Sequence, residues 1–158
     1  PSHLQQAPPW RRQLSTRLPM RRPRMPAPSP SIFYELVGSL PATFRQALKD
    51  EPVFACLDRE LRGLEGAMAA VDQIERIAPS HGASTDSLVA RQAASREARA
   101  FWRAGFVANA ITTNFPTSLE RLALSLIVII AAGRAGPAEE ADFPWNQLRK
   151  LLAALSEL

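Results

Sequence analysis

The sequence has few of the residues from which metal sites and disulfide frameworks are built. Its 158 residues include one cysteine, Cys56, and two histidines, His3 and His81. A single cysteine excludes an intramolecular disulfide, and two histidines are too few for a typical His-based zinc site. Cys56 lies on one predicted helix and His81 in the turn that follows it, about 25 residues or about 38 Å further along, so they cannot meet unless that helix is broken. We therefore predict no metal, no cofactor and no catalytic residue.

Long apolar runs are also absent, since no stretch of 18 or more apolar residues occurs. The most apolar segment, 119–132, covers only about 21 Å as a helix, which is less than the roughly 30 Å hydrocarbon core of a bilayer. A membrane partner is therefore not expected. Lysine is scarce, because 17 of the 19 basic residues are arginine, whereas alanine occurs 26 times. Both arginine and alanine favour helix.

The first 34 residues contain no acidic residue but six arginines. Residues 35–158 contain 13 basic and 15 acidic residues, so a segment of charge +6 precedes a body of charge −2. Eight of the 14 prolines lie in residues 1–30, where they disfavour helix and central strand alike. We predict that residues 1–30 form a flexible or extended Pro/Arg-rich arm and that residues 31–158 form a helical domain.

The pattern of apolar residues in the body predicts five consecutive helices. The clearest runs from Pro52 to about Ala78, with apolar residues at alternating spacings of three and four: Phe54, Leu57, Leu61, Leu64, Met68 and Val71. The others are predicted from Ser39 to Asp50, from a cap at 84–86 to about Asn114, from a Thr117 cap to about Ala132, and from near Pro144 onward. The fourth is apolar on all sides, which predicts a central core or interface helix. The expected fold is all-α, a bundle of four to five helices preceded by the extended arm.

The strongest candidate binding residues lie in the arm. Arginine forks match carboxylates and phosphates, and a tryptophan beside them can stack on a base. These residues predict contact with an acidic protein partner, with RNA or another polyanion as the alternative. The candidates are Trp10, Arg11, Arg12, Arg17, Arg21, Arg22 and Arg24.

Two helix faces supply further candidates. Arg96, Arg99 and Arg103 fall within about 60° of one another on a helical wheel, opposite a row of small and apolar residues. In the last predicted helix, Trp145 joins an LxxLL pattern made by Leu148, Leu151 and Leu152. Such a pattern is one form of helix-in-groove anchor, although a leucine-rich core helix also produces it.

These observations favour a non-enzymatic helical protein–protein interaction module, such as an accessory or assembly subunit or an adaptor. Its basic arm would contact an acidic partner, and a homo-oligomer would also account for surplus apolar surface. Two alternatives stay open, a nucleic-acid-associated subunit such as an organellar ribosomal accessory protein, and the helical domain of a secreted bacterial effector. An intracellular or organellar location is favoured.

Overall fold

The computed structural model describes residues 26–77, 88–133 and 145–157, and every regular element in these ranges is an α-helix. The all-α prediction is therefore confirmed for the described residues. They form six helices rather than four to five: α1 (Pro30–Ser39), α2 (Ala42–Asp50), α3 (Pro52–Ile77), α4 (Leu88–Thr113), α5 (Leu119–Gly133) and α6 (Trp145–Ser156). None of the described helices is both long enough and apolar enough to span a bilayer.

The additional helix is α1, which sequence patterning did not predict. It begins at Pro30, and proline is compatible with the first turn because the N–H there has no intrahelical partner. Its apolar residues Phe33, Leu36 and Val37 are buried. Leu40 then adopts an extended conformation before Pro41, as residues that precede proline prefer. This break starts α2 at Ala42, three residues later than predicted.

Helix α5 occupies the centre of the core, which confirms the first of the two roles predicted for this apolar helix. It packs against α1, α2, α4 and α6. Leu124, Ile127, Val128 and Ile130 are fully enclosed. The predicted cap was wrong by one residue: Ser118, not Thr117, precedes α5, and its Oγ accepts a hydrogen bond from the Arg121 N–H at 3.2 Å.

The two long helices α3 and α4 pack along each other. Five of the six residues predicted to form the apolar row on α3 are buried, whereas Met68 remains 40% exposed. Helix α4 contributes mainly small residues to this contact and to the core, including Ala100, Ala104 and Ala108. Small side chains permit a close approach of neighbouring helices, as the alanine pattern indicated.

The end of the segment assigned to the arm contacts the helical body. Ala27 is 1% exposed, and the Ser29 N–H donates a hydrogen bond to the Ala131 carbonyl oxygen at 2.9 Å. The chain leading into α1 is therefore buried at Ala27 and bonded at Ser29 to the last turn of α5. The earlier arm residues fall outside the described ranges, as does the helix cap predicted at 84–86.

Candidate functional site

An apolar groove lies at the end of the bundle where α4 finishes and where α3 and α5 begin. The cavity within it has a volume of about 220 Å³. Val53 of α3, Val107 and Ile111 of α4, and Leu124 of α5 line it. The site is formed by three helix ends that come from separate parts of the sequence.

Two phenylalanines on this groove are largely exposed. Phe106 is 71% exposed on α4, and Phe115 is 89% exposed between the end of α4 and Pro116. Complete burial of a phenylalanine side chain is worth about 1.5–3 kcal/mol, so their exposure forgoes much of that stabilisation. Two exposed aromatic residues on one apolar groove are typical of a surface that another molecule covers.

The polar side chains along the groove hold its helix ends together. Arg121 Nε lies 2.9 Å from Glu51 Oε2, which joins the first turn of α5 to the residue before α3. Ser125 Oγ donates a hydrogen bond to the Arg121 carbonyl oxygen at 2.9 Å, and Asn114 Nδ2 donates one to the Ala110 carbonyl oxygen at 2.7 Å. These bonds satisfy polar atoms within the chain, so a ligand of the groove meets mainly its apolar lining.

Cys56 also lines the groove, and its side chain is exposed. Because it is the one cysteine of the sequence, its thiol is a natural reporter of whether the groove is occupied. Across residues 26–77, 88–133 and 145–157, no group of three or more His, Cys, Asp or Glu side chains is arranged to hold a metal ion.

No family model, curated protein or solved structure matches the chain. The candidate site therefore rests on the geometry of its own residues.

The predicted arm residues are not part of the described structure. Trp10, Arg11, Arg12, Arg17, Arg21, Arg22 and Arg24 all lie outside the described residues. Their role in binding an acidic partner stays a prediction.

The structure brings the three predicted arginines of α4 together on one exposed face. Arg96 and Arg99 are exposed, and Arg103 Nε lies 3.3 Å from Glu60 Oε2 on α3. The Arg103 side chain is 67% exposed, so this ion pair is solvated and contributes at most about 1 kcal/mol. The arginine row leads directly towards Phe106 and the groove.

The leucines of the predicted apolar site on α6 differ in how far they are buried. Leu152 is 3% exposed within the core, and Leu148 is partly buried against that core. Leu151 is 48% exposed and is the member of the LxxLL pattern that faces solvent. Trp145 is the first residue of α6, and its side chain lies outside the described part of the structure. The packing of Leu148 and Leu152 against the chain's own core therefore accounts for most of the LxxLL pattern.

Sequence patterning missed Phe106 and Phe115. Two local signals were present: Phe106 follows Arg103 by three residues on the polar side of α4, and Phe115 stands between Asn114 and the helix-breaking Pro116. Both positions fall outside the apolar register of α4. The groove itself carried no sequence signal, because it requires three helix ends to meet.

Proposed function

We propose that this chain is a non-enzymatic helical protein–protein interaction module, acting as an accessory subunit or an adaptor. Its groove between α3, α4 and α5 receives apolar side chains from a helical segment of a partner protein. The observation that carries this proposal is the exposure of Phe106 and Phe115 beside a mainly aliphatic groove.

The volume of the cavity suits a side chain of a partner protein better than a small-molecule ligand. A cavity of about 220 Å³ is smaller than the roughly 300–1,000 Å³ typical of pockets for drug-sized molecules. An amphipathic helix instead inserts a few apolar residues, spaced three and four apart, and rests its remaining surface on the rim. The exposed rings of Phe106 and Phe115 supply such a rim.

The basic arm extends the same proposal. Six arginines without an acidic neighbour in residues 1–34 suit an acidic surface on the partner, which the arm would contact while the groove binds apolar side chains. The nucleic-acid-associated subunit remains the second candidate, favoured by Trp10 beside Arg11 and Arg12.

Alkylation of Cys56 tests the proposed function of the groove. The probe is a helical peptide that carries leucines on one face and glutamines on the other. A peptide seated in the groove covers the thiol, so saturating peptide is expected to slow alkylation at least about fivefold. The Phe106→Ser, Phe115→Ser double variant is expected to lose this protection, because the rim no longer buries apolar surface.

Leu88→Ser is the matched control for this experiment. Leu88 is 71% exposed, as Phe106 is, but it lies at the opposite end of α4. Protection of Cys56 should survive this substitution. An alkylation rate that leucine peptides do not change, or equal protection in the double-serine variant, would show that the groove does not bind such segments.

A further inference from the structure

We infer that the partner segment is an acidic amphipathic helix whose carboxylates lie along the arginine row Arg96, Arg99 and Arg103 while its apolar side chains enter the groove. This inference rests on the proposed function, since it specifies the chemistry of the segment that the groove receives.

The arginine row and the groove form one continuous surface. Arg96, Arg99, Arg103 and Phe106 follow one another at spacings of three, four and three, which places them within an arc of about 80° on α4. From the first to the last they span about 15 Å along the helix axis, or nearly three turns. A partner helix of ordinary length covers both the row and the groove.

The charges along this surface are unbalanced. Glu60 of α3 lies beside Arg103, whereas within the part of the chain that the structure describes the side chains of Arg96 and Arg99 form no ion pair or hydrogen bond. Their guanidinium groups therefore offer free donors to solvent. Carboxylates spaced three and four residues apart on a partner helix match this row and form charge-assisted hydrogen bonds with it.

The lining of the groove favours a protein helix over a nucleic acid. Phosphates would also contact the arginine row, but Val53, Val107, Ile111 and Leu124 form a pocket whose aliphatic lining suits branched apolar side chains. A single-stranded nucleic acid is usually held by aromatic platforms spaced along its path, whereas here the two exposed rings, Phe106 and Phe115, both lie at one aliphatic pocket beyond the cations. An acidic amphipathic helix satisfies both parts of the surface at once.

The experiment compares three fluorescent helical peptides that share one leucine face and differ in carrying glutamate, glutamine or lysine beside it. The full chain is expected to bind the glutamate peptide about tenfold more tightly than the glutamine peptide and to bind the lysine peptide most weakly. Arg96→Ala, Arg99→Ala should remove most of the preference for glutamate and leave glutamine-peptide binding unchanged. Added salt should reduce the preference in the same way.

The matched control is Lys49→Ala, Lys150→Ala, which removes the same charge from exposed positions on α2 and α6. This variant should keep the preference for glutamate. Because all four positions are exposed, each variant is expected to keep its helical circular dichroism, which is measured alongside binding.

The outcomes separate this inference from the proposed function. If glutamate and glutamine peptides bind alike, or if Arg96→Ala, Arg99→Ala keeps the preference, the acidic-partner inference is wrong while protection of Cys56 still supports the groove. If no leucine peptide protects Cys56, the proposed function fails as well. Binding of a uridine oligonucleotide through the same arginines, or self-association through them in sedimentation, with no binding of the glutamate peptide, overturns the inference in favour of RNA or a second copy.

Discussion

The one tyrosine of the sequence, Tyr34, lies on α1 and joins it to α3. Its hydroxyl group donates a hydrogen bond to Asp58 Oδ1 at 3.0 Å, and Asp58 Oδ2 accepts one from Arg62 Nε at 2.9 Å. Two causes raise the pKa of Tyr34 from 10.0 to about 12. The larger is burial of the phenol, and the second is its hydrogen bond to the Asp58 carboxylate. The interaction therefore favours the neutral phenol in the folded chain.

This pKa predicts how stability changes in alkali. The pKa of Tyr34 is higher in the folded than in the unfolded chain, so its contribution to stability is fully present below pH 10 and is lost as the pH rises through about 12. Asp58→Asn should lower the pKa towards 10 without reaching it, because burial is the largest cause of the shift. Tyrosinate absorbance during a pH titration measures the change.

Asp50→Asn serves as the control for that titration, since Asp50 is exposed and bonds to Gln46 on its own helix. It should leave the Tyr34 pKa unchanged. An Asp58→Asn variant whose tyrosine titrates as the native protein does would contradict the assigned cause.

At the scale of the helix, α6 provides a comparison between two adjacent leucines. Leu152 is 3% exposed and Leu151 is 48% exposed. Leu152→Ala leaves a cavity in the core and is expected to lower the free energy of unfolding by about 2–5 kcal/mol. Leu151→Ala should cost less than about 1 kcal/mol. Urea unfolding followed by circular dichroism measures both, and equal losses would show that α6 is not docked through Leu152.

Most of the helices could be predicted because their signals are local. The alternating spacing of Phe54, Leu57, Leu61 and Leu64 repeats over several turns, and their burial follows from it. Helix α1 could not be predicted in this way, because it has 10 residues and opens with a proline that also belongs to the proline-rich segment. Its helical state depends on packing against α5, which is a tertiary contact.

At the scale of the whole molecule, the charge is divided between the arm and the body. Residues 1–34 carry +6 and the remainder carries −2, so polyanion binding is expected to depend on the arm. A full-length variant with glutamine in place of Arg11, Arg12, Arg17, Arg21, Arg22 and Arg24 should elute from immobilised heparin at a lower salt concentration than the native chain.

The control for the arm variant is the Lys49→Ala, Lys150→Ala protein, whose elution should change little. If the six-glutamine variant elutes with the native chain, the basic residues of the body, rather than the arm, govern binding to polyanions.

The candidate site could be predicted only in part, because some of its residues share one helix whereas others meet only in the tertiary fold. Arg96, Arg99 and Arg103 share a face because they share a helix, so their spacing alone places them together. The groove joins Val53 to Leu124, residues 71 positions apart, through the meeting of three helix ends. Its aromatic rim, Phe106 and Phe115, was not predicted because an aromatic residue is usually assigned to the core.

The central position of α5 has a consequence for synthesis of the chain. Helix α1 ends at Ser39, and α5 does not begin until Leu119, so about 80 residues are added between them. At roughly 5–20 residues per second, translation takes about 4–16 seconds over this interval. During that time α1 lacks the helix against which it later packs, and the growing chain presents an apolar segment, with Phe33 and Leu36, that chaperones can bind.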